Sequence, residues 1–383
     1  MAAINSDFWS LPNPSAFLRR IVDNSIIEGI STIIRFPKTF RKDFYNAIED
    51  SFLSMDVKFI SVNSKDALVL DSPLTYLLKT YGKSVNRRNL PSMGSLSKVE
   101  TLKNSVIFLR ETDDQCWPKW CSFLDTYEVF SHSLPVNGRA KFVVPLFGSF
   151  DTLEGKICIR TVDWNDCIDD IDIMVFVSNI IRNRKLSQFQ REIRIAIISS
   201  IALWDTEIAE DLASRELKEI LNPVKLLKRI AEKRKWNDSK PAWVSGSEMA
   251  FKGKTAINSA FLASIDDERI IRKRIWQPLA QVLLPFIEEQ RSKIVSLVEN
   301  ELMTPFETSF GKIETVADME INHIHHQIKD KKTVEPEIRN AVLHLVYIRN
   351  KLAHFAPVSY EDILLCEKIK KMLADYSQEA LED

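Results

Sequence analysis

A chain of 383 residues with 45% apolar side chains can bury more than one core, so two or three globular domains are expected. Lys and Arg total 52 against 53 for Asp and Glu, which excludes a global basic field, and any nucleic acid contact must be local. Five cysteines without a CxxC unit read as reduced, cytoplasmic thiols. The opening residues lack a signal-peptide core, and no run approaches the roughly 18 apolar residues of a membrane span, so no membrane contact is expected.

In chain order, residues 1–185 alternate apolar runs with helical patterns. The predicted strands are 29–36, 57–62, 104–110, 140–147 and 156–162, with helical periodicity over 42–55, 72–82 and 117–130. Such alternation predicts a parallel α/β sheet covered on both faces. Residues 186–268 form a helical middle segment that ends in a loop-rich piece, 237–255. Residues 269–383 hold four helical stretches, 269–303, 310–329, 335–355 and 359–380, whose short connections predict an antiparallel four-helix bundle. The fold class is therefore α/β plus all-α.

The turn after the first strand, "FPKTF", stands where a phosphate loop would join a strand to a helix, yet it has no glycine to let backbone amides wrap a phosphate. The third strand ends in Arg110, which would repel the Mg²⁺ that an acidic residue there should hold. This order of elements resembles a P-loop NTPase core of the AAA or STAND type, with both motifs degenerate. The resemblance implies no ATP hydrolysis and no cofactor. "GSEMAFKGKT", Gly246 to Thr255, ends like a phosphate loop, but its glycines are seven apart and no strand precedes it.

The third C-terminal helix carries Arg339-Asn340 with His344 and Arg349-Asn350 with His354. At about 100° per residue, Ile338, Ala341, Val342, Leu345, Leu352 and Ala353 form one apolar stripe. Arg349 falls inside it and needs an anion, because an unpaired guanidinium there costs several kcal/mol. Arg339 lies at the stripe's edge and His344 on the far side, which an amphipathic helix explains without chemistry. Asn350 and His354 share a face at a helix end that Pro357 enforces. A fixed cation beside an imidazole suits attack of a ribose 2′-OH on its phosphorus, which needs a base, an acid and a cation but no metal.

"RNKLAHFAPVS" in this bundle resembles the Arg-x(4 to 6)-His signature of HEPN domains, four- to five-helix bundles that commonly dimerise. The resemblance covers about the last 110 residues. It implies Arg349 as phosphate-binding cation, His354 as general acid or base and Asn350 as the residue that positions them. The implied protein is a metal-independent endoribonuclease leaving 2′,3′-cyclic phosphate and 5′-OH ends, in a prokaryotic antiviral defence or toxin system. RNA, a homodimer mate and a defence-system or antitoxin protein are the implied partners, and the P-loop-like domain would regulate or dock the effector. The alternatives are a non-enzymatic scaffold subunit and a switch that binds ATP without hydrolysing it.

Other groups read more simply. His323, His325 and His326 lack the spacing of a metal site. The basic runs 225–236 and 269–274 read as solvated helix faces, and the acidic run 163–173 as a surface loop.

Overall fold

The computed structural model describes residues 6–70, 72–82, 91–151, 153–236, 240–308 and 311–382. Residues 1–5 of the opening stretch and 237–239 of the expected loop lie outside them. The chain forms two compact units, 1–176 with 234–258, and 177–233 with 259–383. The stretch 186–268, read from sequence as a separate middle segment, is divided between them.

In the first unit the five apolar runs become strands: β1 Ser31–Phe36, β2 Lys58–Asn63, β3 Ser105–Arg110, β4 Lys141–Phe147 and β5 Ile159–Asp163. All pair in parallel, in the order β2-β3-β4-β1-β5. Successive residues of β3, Val106 to Leu109, are all fully buried, so both faces of the sheet are covered. The edge strand β5 buries only Ile159 and Val162, and its Asp163 forms a bidentate ion pair with its register partner Arg35.

The covering helices of this unit are α1 Pro12–Ile26, α2 Phe44–Leu53, α3 Pro73–Tyr81, α4 Trp117–Ser131 and α5, which begins at Asp170. On one face, Leu77, Trp120 and Phe123 join Ile107, Phe142 and Val144 in a single apolar cluster. Trp120 is fully buried and places its indole N–H on the Ser64 carbonyl at 3.0 Å, so no donor is stranded. The acidic run is the expected loop only over 164–169. Asp169 and Asp172 accept the Asn13 amide at 2.9 and 2.7 Å and cap the start of α5, which runs Asp170–Ile181. Carboxylates at a helix N-terminus satisfy orphan amides, and that competes well with solvation in a loop.

The 237–255 loop also contains structure. Glu248–Phe251 (β6) and Lys254–Ile257 (β7) pair as an antiparallel hairpin turning on Lys252 and Gly253, both at positive φ of 57° and 69°. Such a turn matches the twist of the strands it joins.

The second unit is helical: α6 Gln188–Ala202, α7 Thr206–Ala213, α8 Val224–Arg234, α9 Glu268–Val298, α10 Ile321–Ile328, α11 Pro336–Ala353 and α12 Tyr360–Glu382. Helices α10, α11 and α12 pack on α9, and α6 runs along it, with the Phe189 and Phe286 rings 4.7 Å apart. The expected helix over 310–329 forms only in its second half, from Ile321 to Ile328. A short hairpin, Phe306–Thr308 with Gly311–Ile313, occupies the start, and a Glu320 capping box begins the helix at Ile321. Among the described residues no helix is long and apolar enough to cross a membrane.

Candidate functional site

Helix α11 buries Ile338, Ala341, Val342, Leu345, Ile348 and Leu352. That stripe is as wide as the wheel predicted but turned by about 20°. Ile348 enters it at one edge, and Ala353 at the other edge is exposed. The physical reason lies at the helix end: Arg349 stands only about 40° from Leu345 on the wheel, but the following Ala353 and His354 are exposed, and the long side chain extends to the Glu320 carboxylate. Arg349 is therefore not a core cation. Its side chain is 37% exposed, and Nη2 donates to Glu320 Oε2 at 3.0 Å.

Glu320 is the N-cap of α10. Its carboxylate accepts the backbone N–H of His323, and its own N–H donates to His323 Nδ1 at 3.1 Å. The proton of a neutral His323 is thereby assigned to Nε2. His323 is thus a capping residue, and its ring lies 5.8 Å from Phe306. Arg349 fastens this cap to α11 through a pair in which both groups are more than a third exposed. Such pairs contribute about 0–1 kcal/mol.

The end of α11 is held more firmly. Ala356 N–H reaches the Lys351 carbonyl at 2.9 Å and Phe355 N–H the Leu352 carbonyl at 3.4 Å. With Phe355 at φ 56°, this is a Schellman turn with an aromatic residue where glycine is usual. The Trp276 indole N–H also donates to the Leu352 carbonyl at 3.0 Å, and its ring lies 4.9 Å from that of Phe355. His354 occupies the C-cap, exposed, and neither its imidazole nor the Asn350 amide has a side-chain partner among the described residues. Beside the turn opens a cleft of about 740 Å³ walled by Ile271, Ile275, Trp276, Leu279 and Phe355.

The other Arg-Asn pair is differently occupied. His344 Nε2 meets the Asp362 carbonyl at 3.2 Å and lies 4.0 Å from Cys366 Sγ. Burial, with Asp362 nearby, pushes that thiol up to about 12. Arg339 reaches the Lys329 carbonyl at 3.4 Å. Opposite His344, Lys351 Nζ pairs with Asp362 at 2.9 Å and lies 4.3 Å from the centre of the Tyr347 ring. Burial raises the Asp362 carboxyl, but Lys351 and the Ser359 N–H outweigh it and hold the group below its ordinary value.

In the first unit, the β1 turn is filled by side chains. Phe40 stacks on Phe36 at 4.3 Å and lies 4.9 Å from Trp164, with Trp9 at 6.0 Å. The segment 243–247 closes over the same turn: Lys38 N–H donates to the Val244 carbonyl at 2.8 Å, and Thr39 Oγ1 to the Ser245 carbonyl at 3.1 Å. Gly246, at φ 79°, sits so close to Thr39 that a Cβ would lie 2.2 Å from its hydroxyl. The glycines of the "GSEMAFKGKT" stretch therefore serve a tight packing and a hairpin turn. At the end of β3, Arg110 pairs with Glu49 of α2 at 3.2 Å, so that position holds a neutralised cation.

One cluster has no counterpart in the sequence reading. Glu128 Oε1 meets His132 Nε2 at 2.9 Å and accepts the backbone N–H of Ile157 at 2.7 Å, while Cys158 Sγ takes a hydrogen bond from Arg139 at 3.3 Å. Glu128 also accepts the Cys158 N–H, so the buried carboxylate ties α4 to the approach of β5. Its only sequence signal is the i, i+4 spacing of Glu128 and His132 on a helix.

Fold and sites together define a chain with a five-stranded parallel-sheet unit, its β1 turn packed with aromatics, and a helical unit presenting Arg349, Asn350 and His354 near one helix end. No protein-family model matches the chain, and no curated protein does. Among solved structures it is similar to the Thermotoga maritima RuvB Holliday junction branch migration motor, at 12% identity over 76% of this chain and 77% of that one, with a TM-score of 0.30. A second structure of Thermotoga maritima RuvB, a point variant, matches at 10% identity over 79% and 90%, with a TM-score of 0.29. Likenesses at this level establish neither family nor function.

Proposed function

We propose that the helical unit is a HEPN-type, metal-independent endoribonuclease. Arg349 holds the scissile phosphate, His354 transfers the proton and Asn350 positions them. The reaction is attack of the ribose 2′-OH on the adjacent phosphorus, leaving a 2′,3′-cyclic phosphate and a 5′-OH. The observation that carries the reading is the helix end itself: an exposed imidazole without a side-chain partner, fixed by the Trp276-braced turn, five residues after an arginine held by a single solvated carboxylate. An RNA phosphate can replace Glu320 on Arg349 at little cost.

As in the family it resembles, the chain would act as a homodimer that brings two such helix ends to one cleft, within a prokaryotic antiviral defence or toxin system. The P-loop-like unit would regulate or dock the effector, with an antitoxin or other defence protein as its partner, and would hydrolyse no ATP. The test is RNA cleavage in EDTA with product ends mapped. Wild type should cut RNA and leave DNA intact, and Arg349→Ala and His354→Ala should each lose about 10²-fold or more in rate.

The Arg349–Glu320 pair favours a second reading, a non-enzymatic scaffold in which this arginine only ties α11 to α10. Absence of cleavage by wild type alone and with candidate partner proteins, together with an unfolding temperature that falls in Arg349→Ala, selects that reading.

A further inference from the structure

A second group of cations lies elsewhere in the helical unit, in a polar pocket of about 320 Å³. It is lined by Arg184 and Lys185 just before α6, by Gln190 and Arg194 in the first half of α6, by Glu216, and by Tyr360, the first residue of α12. Arg194 is only 3% exposed. A guanidinium carries five N–H donors. Here Nη1 reaches the Arg215 carbonyl at 2.7 Å, Nη2 makes a long contact of 3.4 Å to Glu216, and buried Nε has no acceptor.

Arg184 competes for the same carboxylate, at 2.9 Å, after using another nitrogen on the Ala213 and Arg215 carbonyls. Lys185 is exposed and has no partner among the described residues. Gln190 is committed to Glu367 at 2.7 Å. Two arginines thus share one anion with an unpaired lysine beside them, and that anion, Glu216, is 73% exposed.

A buried guanidinium with an unfilled donor, a second arginine beside it and too little negative charge is an arrangement that a polyvalent oxyanion completes. We infer that this pocket binds the phosphate group of a small phosphoester, with Arg184, Arg194 and Lys185 on its oxygens and the Tyr360 hydroxyl as a further donor. Volume limits the ligand to about the size of a mononucleotide or the 5′ end of a strand. Burial and the neighbouring Arg184 push the Arg194 guanidinium down from its ordinary value, a penalty that a bound dianion relieves. The pocket shares no residue with the α11 end, so it stands or falls apart from ribonuclease activity.

The experiment is a titration of the full chain with sodium phosphate against sodium chloride at equal ionic strength, read by unfolding temperature and by calorimetry. The same protein is titrated with AMP and with an octaribonucleotide bearing either a 5′-phosphate or a 5′-OH. Wild type should show a saturable rise specific to phosphate. Lys185→Glu, a change at an exposed position, should weaken it by about tenfold or more, and Arg194→Gln should abolish it. AMP binding more tightly than phosphate identifies a free nucleotide as the source. Preference for the 5′-phosphorylated strand over its 5′-OH form identifies an RNA end. No saturable phosphate effect in wild type, or an equal effect in Lys185→Glu, overturns the inference.

Discussion

Replacing Gly246 by alanine tests why the closing segment of the parallel-sheet unit contains a glycine at all. At φ 79° the backbone there is left-handed, which costs an L-residue about 1–2 kcal/mol. The added Cβ would lie 2.2 Å from Thr39 Oγ1, well inside contact distance, so the hydroxyl must rotate away and give up its 3.1 Å bond to the Ser245 carbonyl, worth about 0.5–1.5 kcal/mol. Residual overlap with Pro37 Cβ, at 3.4 Å, is slight. Together the loss is about 1.5–3.5 kcal/mol, measurable by guanidinium unfolding of the full chain. Thr39→Ala alone should cost only the hydrogen bond, about 1 kcal/mol. In the double variant the overlap is gone, so its cost should fall short of the sum of the two single changes by about 1 kcal/mol or more. A Gly246→Ala loss below about 0.5 kcal/mol, or strict additivity with Thr39→Ala, refutes the packing argument and reopens a ligand-contacting role for this glycine.

Glu320→Gln keeps the α10 cap but removes the anion on Arg349, so single-stranded RNA should bind several-fold more tightly in a filter or anisotropy assay, with stability changed by less than about 1 kcal/mol. Trp276→Phe removes the donor that braces the Leu352 carbonyl at 3.0 Å, and should lower the cleavage rate more than it raises KM while costing about 1 kcal/mol. Asp362→Asn tests pH dependence. The native carboxyl is held below the ordinary 3.8, so its stabilisation is present above that pH and lost as pH falls through the lowered value. The variant should therefore be about 1–2 kcal/mol less stable than wild type at pH 7, and the gap should close in acid unfolding as the pH falls below 3.8. ATP titrated into the full chain should give no heat attributable to the β1 turn, and Phe40→Gly should not change that trace.

The sequence by itself located all five strands of the parallel sheet. Runs such as "SVIFLR" and "KFVVPLF" are apolar at successive positions, and only a strand covered on both faces uses such a run in so short a length. It also showed that the β1 turn lacks glycine and that β3 ends in a cation, because both are local identities. Starts set by carboxylates escaped it: the acidic run caps α5, and Glu320 starts α10 later than periodicity suggested. Those depend on which amide each oxygen reaches.

Tertiary structure alone decided the strand order β2-β3-β4-β1-β5, since each crossover is compatible with several positions in a sheet. It divided 186–268 between two units, because an amphipathic face does not say which core will cover it. It also set the surroundings of the candidate residues. A wheel gives an angle but not the partner at that angle, so Arg349, expected in a core, proved to be a half-exposed cation on the Glu320 cap. Arg194, one of three charged residues in α6, became the buried member of a cation cluster only when Arg184 and Tyr360 were brought beside it. Sequence fixes which charges a chain carries, and packing decides which of them are left short of a counter-ion.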